Sequence, residues 1–276
     1  MLKKRIYYVS GIDPRGVALY YRLFREESRK SADLLDAEFK VSKLKRETDM
    51  VSAWDFSANI DGNTSHINYR FLHWDDVARA LWVKTNFGLL CAMFPYLIAH
   101  FKAGWFSRVK QAGKTAYYNI LIPIIFSGLS VVVSLLISSI VYLLIGFFTD
   151  EIAIRLLLAC MTFILLVATA LKLGEKWDIW WILQGHLFMA KWADSPISVL
   201  EKRLDAFADL IIAEHLAEPE QELMIVGHCI GTILCIPLLS RLMQKAPESL
   251  NDKLCMVTLG QCVPYMSFMP KAQHFR

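Results

Sequence analysis

Polar and apolar positions divide the chain into a long apolar middle and two patterned flanks. Between Thr115 and Thr149 no side chain is charged, and the core of that run reads ILIPIIFSGLSVVVSLLISSIVYLLIGFF. A spanning helix needs about 20 apolar residues, so one span is predicted over 119–148. Pro123 falls near its start, where a missing N–H costs least. After a short Thr-Asp-Glu turn, IAIRLLLACMTFILLVATALKLG predicts a second span over 152–172. Arg155 and Lys172 sit towards its ends, from which long cationic side chains reach the interface. The two runs predict a transmembrane helical hairpin. Their uninterrupted length argues against the alternative, a pair of buried core helices. Ser127, Ser130, Ser134 and Ser138 recur at helical spacing, which predicts a packing face. No Asp, Glu or Lys lies in mid-span, which argues against an ion relay.

Two shorter apolar stretches flank the hairpin. Residues 85–104, which include TNFGLLCAMFPYLIAHF with Pro95 and His100, are short for a span and predict an interfacial or re-entrant segment. Residues 175–192 place Trp177, Trp181, Phe188 and Trp192 near one helical face. Tryptophan prefers the membrane–water boundary, so an interface-lying helix is expected, with an aromatic core helix as the alternative. The whole membrane insert is then 85–192.

The flanks, 1–84 and 193–276, alternate between strand and helix patterns. Arg5–Ser10 reads as a strand, followed by a turn and an amphipathic helix with Val17, Leu19, Tyr20, Leu23 and Phe24 on one side. Phe39–Leu44 alternates weakly. Val51–Ile60 and His66–Trp74 flank Asp61-Gly62-Asn63, a hairpin signal. Asp75 is placed to cap a short helix, and Ser195-Pro196 to open another through His215. Glu222–Val226 is a short buried strand before a helix from Ile230 to Lys245, which Pro237 is expected to bend, and Leu254–Leu259 is the last strand. Such alternation predicts an α/β domain with a mostly parallel sheet and helices on both faces.

Composition agrees with a membrane-embedded chain. Of 276 residues, 55% are hydrophobic and 20% charged, with a mean hydropathy of +0.37. Disorder is excluded, and an ordinary cytosolic globule is disfavoured. A net charge of +4 without a long basic run gives no nucleic-acid footprint. Cys91, Cys160, Cys229, Cys235, Cys255 and Cys262 form no C-x-x-C, so neither a disulfide framework nor a metal site is predicted. P-loop and dinucleotide motifs are absent, and no cofactor is expected. Lys102, Arg108, Lys110 and Lys114 precede the first span and Lys172 and Lys176 close the second, whereas the connecting turn is acidic. The positive-inside rule then puts both termini in the cytoplasm.

The candidate chemistry lies in LMIVGHCIGTILC. A buried strand runs into Gly227-His228-Cys229-Ile230-Gly231 and a helix follows at once. This resembles the nucleophile elbow of the α/β-hydrolase superfamily, G-x-S-x-G, with cysteine in place of serine, as in dienelactone hydrolases. The resemblance implies a nucleophile, Cys229, exposed at the end of the sheet. Elbow glycines Gly227 and Gly231 would allow the sharp turn, with His228 a packing residue beside the nucleophile. The Ile230 amide would face a developing oxyanion, with Gly11 or Ile12 of YYVSGIDPRG giving the second donor. Asp13-Pro14 is expected to start a helix rather than supply a catalytic acid, and Arg15 to be solvated. MVTLGQCVP resembles the strand after the elbow helix. The resemblance covers both flanks, and the chain as a whole is similar to uncharacterised bacterial membrane-inserted members of the superfamily, which implies an inner-membrane location.

One departure stands out. In this superfamily the acid and histidine follow the nucleophile, but after Cys229 the sequence has only Glu248, Asp252 and His274. Three explanations compete: missing C-terminal strands (the favoured one), a base from His66, His73, His186 or His228, or an inactive site. The expectation is a membrane-anchored hydrolase or acyltransferase acting on an ester or thioester, lipid-like or small, next to membrane lipids. The alternative is a catalytically inactive hydrolase-fold scaffold or interaction protein. A transporter ranks last.

Overall fold

The computed structural model describes residues 2–218, 222–245 and 253–275. Glu248, Asp252 and the His274 side chain lie outside what is described. The chain forms two compact units. One comprises Met1–Trp82, Trp192–Ser267 and Lys271–Arg276; the other comprises Val83–Lys191 and Phe268–Pro270.

The first unit is an α/β layer structure around a seven-stranded sheet. Its strands are β1 (Leu2–Val9), β2 (Glu38–Val41), β3 (Lys45–Arg46), β4 (Val51–Ile60), β5 (Asn63–Leu72), β6 (Glu222–His228) and β7 (Leu254–Leu259). The order is β2-β4-β5-β1-β6-β7, with β3 paired to β4. The sheet is mixed rather than mostly parallel: β5, β1, β6 and β7 run parallel, while β2, β3 and β5 each meet β4 antiparallel. The reason is local. Asp61 and Gly62 both adopt left-handed φ (48° and 79°), the geometry of a tight hairpin turn, and a two-residue connection can only reverse the chain. Parallel neighbours need long crossovers, and β1, β5 and β6 are separated by them.

Alternation along the strands sorts two faces. Tyr8, Trp54, Phe71 and Val226 form one cluster, covered by Val17, Tyr20, Tyr21 and Phe24 of α1 (Val17–Leu35). On the other face lie Tyr7, Leu223 and Ile225. There Tyr7 donates a 2.6 Å hydrogen bond to Glu214 of α8 (Ser198–Ala217). Helix α9 (Gly231–Lys245) packs beside α8 and is tied to it by Arg241, which bonds Glu201 and Asp205 at 2.6 and 2.8 Å. Two predicted caps are not made. Trp74, not Asp75, precedes α2 (Asp75–Leu81), because the Asp75 carboxylate is held by His73 and Arg79. Ile197 precedes α8, two residues beyond Ser195.

The second unit is helical: α3 (Asn86–Lys102), α4 (Trp105–Ala112), α5 (Lys114–Ile145), α6 (Ile152–Lys176) and most of α7 (Ile179–Asp194). Helices α5 and α6 are long and apolar enough to cross a membrane, with mean hydropathies of 2.7 and 2.4 over their most apolar windows. A third crossing is added if α2 and α3 count as one broken span. Leu129, Leu136, Leu143, Leu157 and Leu165 are exposed, an apolar surface far larger than a water-facing domain sustains. Ser127, Ser130 and Ser134 each donate a 2.7 Å bond to the carbonyl one turn back, so these hydroxyls are satisfied within their own helix. Helix α7 is not amphipathic. Trp180, Leu183, Leu187, Phe188, Met189 and Trp192 are all buried, and among its expected interfacial aromatics only Trp177, just before the helix, is exposed. Leu89 and Met93 of α3 pack on Ile179, Trp180 and Leu183, which makes α7 a core helix of the aromatic kind.

Gly231 tests the joint between α9 and the sheet. A Cβ at Gly231 would stand 2.2 Å from the Val9 carbonyl oxygen and 2.5 Å from that of Ser10. Backbone atoms cannot rotate away, so Gly231→Ala should cost more than about 3 kcal/mol. Gly62→Ala meets no atom within 4 Å and should lose only about 1–2 kcal/mol through its positive φ. Urea midpoints of the detergent-solubilised variants, followed by tryptophan fluorescence, should separate the two.

Candidate active site

β6 ends at His228 and α9 begins at Gly231, so Cys229 and Ile230 make the whole reversal. Cys229 sits at φ 53°. Among the described residues, the other non-glycine positions at positive φ are Asp36, Asp61 and Asp178, a residue type that tolerates the left-handed region. Cysteine does not, and the strain is of order 1–2 kcal/mol. The Cys229 amide donates to the Leu259 carbonyl at 2.8 Å, which ties the ends of β6 and β7 together. Its carbonyl accepts from the Thr232 amide (3.1 Å) and from Thr232 Oγ1 (2.6 Å), the first turn of α9.

The turn is as tight as its two glycines permit. A Cβ on Gly227 would lie 2.8 Å from both Thr232 Cα and Cys235 Sγ. Gly11 lies close against Cys229: a Cβ there would lie 3.3 Å from Cys229 Cβ and 3.9 Å from its Sγ. This is the point at which connections diverge. From β1 the chain leaves through α1 for the β2 edge, and from β6 through α9 for β7 on the other side. In open α/β sheets the carboxyl ends of strands flanking such a point form the ligand crevice. The Gly11 and Ile12 amides donate to no group within the described residues, although both residues are buried. Buried amides are rarely left without an acceptor, so these two are available to a ligand oxygen.

The Cys229 residue is exposed, and its sulfur lies 3.9 Å from Cys262 Sγ. Cys262 is held in place from behind: its amide donates to Thr232 Oγ1 at 3.0 Å. A hydrogen bond from the Cys262 thiol, helped by the Ile230 amide and opposed by burial, brings the Cys229 pKa down to about 7. The Cys262 thiol is pushed up by the same hydrogen bond and by burial. Cys235, fully buried on α9, is raised to about 12 by desolvation alone.

The other sequence candidates are elsewhere. His66 is registered with Lys3, six positions before Val9, so it lies about 20 Å from the end of the sheet where Cys229 stands. It lines an open groove of about 500 Å³ with Lys40, Asp55 and Asn68. His186 lies on α7 in the helical unit. His228 turns to the α1 face of the sheet, with ring centroids 6.4 Å from both Tyr8 and Tyr20, and burial lowers its pKa. Among the described residues, the one side chain hydrogen-bonded to the Cys229 sulfur is Cys262. Asp13 does not start a helix: α1 begins at Val17, and the buried Asp13 carboxylate accepts from Arg15 Nε at 2.9 Å, from Arg15 Nη2 at 2.8 Å and from Tyr20 at 3.2 Å. Arg15 is thus engaged with Asp13 rather than simply solvated.

Sequence reasoning missed two groupings. Cys262 and Thr232 join Cys229 only because β7 lies beside β6; the sole local signal was a cysteine just past a strand and its glycine. The second is Ser52, His73 and Asp75. Ser52 Oγ is 2.8 Å from His73 Nε2, and His73 Nδ1 is 3.3 Å from Asp75 Oδ1. The order resembles a serine triad, but Ser52 is a buried mid-sheet residue paired with Phe71, so this is a structural tie between β4, β5 and α2. No protein-family model, curated protein or solved structure matches the chain.

Two measurements follow from these groups. Alkylation of Cys229 should rise with an inflection near pH 7, while Cys235 stays unlabelled in the folded protein. Cys262→Ala removes the donor and should move the inflection up towards the ordinary thiol range; Cys262→Ser keeps an O–H donor and should hold it low. The Asp75 carboxyl is held down to about 2, first by the His73 hydrogen bond and then by Arg79. A depressed folded pKa stabilises above the ordinary carboxylate pKa and is lost as pH falls through the folded value. Asp75→Asn should therefore lower the urea midpoint at neutral pH, with the two proteins converging only below about pH 2.

Proposed function

We propose that this chain is a membrane-anchored enzyme of the α/β-hydrolase type, a hydrolase or acyltransferase that attacks an ester or thioester through Cys229. The observation that carries the reading is Cys229 itself. It is an exposed thiol held at strained φ between a strand and a helix, ionising near neutral pH beside unengaged buried amides. Strained backbone at the carboxyl end of a sheet is where nucleophiles are presented.

The step is nucleophilic acyl transfer. Cys229 thiolate adds to the carbonyl carbon, the Ile230 amide with that of Gly11 or Ile12 holds the oxyanion, and the leaving alkoxide or thiolate departs with a proton from solvent. Attack needs no separate base, because a thiol of pKa about 7 is substantially ionised at neutral pH. Release of the acyl group is different. Water must be deprotonated to attack a thioester, and no histidine or carboxylate bonds the Cys229 sulfur among the described residues. An acceptor that is itself a good nucleophile, such as a thiol, is served better than water. That same observation favours the second reading, an inactive hydrolase-fold scaffold.

Helices α5 and α6 form the anchor in this reading, a transmembrane hairpin whose acidic turn faces away from the cytoplasm and whose basic flanks keep both termini inside. An inner-membrane location next to lipids makes a lipid acyl chain or another apolar acyl group the expected substrate.

Cys229→Ala in the solubilised full chain should abolish turnover of short acyl thioesters, with Cys229→Ser retaining a small fraction. Transfer to an added thiol should exceed hydrolysis. Unchanged turnover in Cys229→Ala would remove the enzymatic reading.

A further inference from the structure

The two sulfurs at the crevice carry a second chemistry. Cys229 is exposed, Cys262 is half-buried behind it, and 3.9 Å separates them. A disulfide requires about 2.05 Å, so the sulfurs must close by about 2 Å, within the reach of side-chain rotation. The backbones are already fastened together: Leu259 accepts from the Cys229 amide, and Thr232 bonds both the Cys229 carbonyl and the Cys262 amide. Closure therefore acts on two residues whose backbones are already held side by side at the ends of β6 and β7. The 33-residue separation means that this proximity arises from tertiary structure alone.

We propose that Cys229 and Cys262 are a redox pair, in which a hydroperoxide oxidises Cys229 and Cys262 resolves it to an intramolecular disulfide that reversibly silences the nucleophile. The inference uses the same sulfur as the acyl-transfer reading but does not depend on turnover. The Cys229 thiolate attacks the terminal oxygen of ROOH, the O–O bond breaks, and RO⁻ leaves and takes up a proton, which yields the sulfenic acid and ROH. The Cys262 thiol then attacks the sulfenic sulfur. The S–S bond forms, the S–O bond breaks, and the hydroxyl leaves with the Cys262 proton as water. Overall, two thiols and one hydroperoxide give one disulfide, one alcohol and one water. The two electrons come from the sulfurs and go to the O–O bond. A dithiol reductant reverses the lock by exchange at the exposed Cys229 sulfur.

The roles are set by exposure. Cys229 is open to an incoming peroxide, whereas Cys262 faces the sulfur it must attack. Cys235, also close to the turn, is fully buried and is excluded from the pair. Rapid resolution would protect Cys229 from the irreversible sulfinic state.

The test uses the full chain in detergent with hydrogen peroxide, and with cumene hydroperoxide as an apolar probe. Remaining thiols are then alkylated, and the protein is digested and sequenced by mass spectrometry. The expected product is a peptide pair joining Cys229 to Cys262, lost on treatment with dithiothreitol. Cys262→Ser, which keeps an O–H beside the sulfur but cannot cross-link, should instead give a Cys229 sulfenic acid trapped by dimedone. Cys229 reaching the sulfinic state in the parent protein without the cross-link would overturn the proposal. So would a disulfide to Cys255, or thiols no more reactive than a free cysteine peptide. Thioester turnover of the fully reduced protein is measured in parallel. Cross-linking without turnover would leave the redox pair standing and remove the enzymatic reading, and turnover without cross-linking would do the reverse.

Discussion

The contact on which the crevice depends is the approach of the α9 N-terminus to the end of β1. A hydrogen atom is all that fits between Gly231 and the Val9 and Ser10 carbonyls. Because the helix starts that close, Cys229 must reverse the chain at positive φ, and its thiol must stand out of the sheet rather than fold into it. The same approach brings Gly11 against Cys229, in a β1–α1 loop whose Gly11 and Ile12 amides donate to no group within the described residues. Strain at one residue and three positions without a Cβ are thus parts of one geometry. Its energetic cost is carried by the apolar faces of β1 and β6, which are buried on both sides.

Electrostatics then sharpens what the backbone has placed. Burial alone would raise a thiol in this position, as it raises Cys235 a few residues along the helix. The opposite shift at Cys229 comes from its hydrogen bond with the Cys262 thiol and from the Ile230 amide. Thr232 is the organising residue: one hydroxyl donates to the Cys229 carbonyl and accepts from the Cys262 amide. Asp13, Arg15 and Tyr20 form a hydrogen-bonded cluster in which the buried Asp13 carboxylate is paired with Arg15. The Ser52–His73–Asp75 chain has a triad-like hydrogen-bond order around a serine that is buried. A nucleophilic serine must be accessible, and here the strand that carries it is interior.

The helical unit follows a different rule. Its two long helices, apolar enough to cross a membrane, leave leucines outward, and the Ser127, Ser130 and Ser134 hydroxyls bond backwards within their own helix. Helix α7 is the contrast. Its tryptophans invite a reading at the membrane boundary, yet most are interior, with Trp180 donating to the Leu171 carbonyl at 2.8 Å. Aromatic richness by itself does not distinguish an interface from a core, since both supply an apolar surround and a single acceptor.

Much of the architecture was legible one segment at a time. The apolar runs of α5 and α6, the Asp61-Gly62 hairpin, the β7 strand and the glycine-flanked cysteine between a strand and a helix are local patterns with local causes: hydropathy, turn chemistry and side-chain periodicity. What local patterns could not convey is which strands become neighbours. The pairing of β2 and β3 with β4, the placement of β1 beside β5 and β6 and that of β6 beside β7 depend on long-range burial. From them come the closeness of Gly11 to Cys229, the pairing of Cys229 with Cys262, the distance of His66, and the engagement of His73 by Ser52 and Asp75. The sequence by itself determined that an apolar helical insert interrupts an α/β chain bearing one unusual cysteine. Only the tertiary structure decided what that cysteine touches, because the groups that set its ionisation lie on other strands and reach it through the sheet.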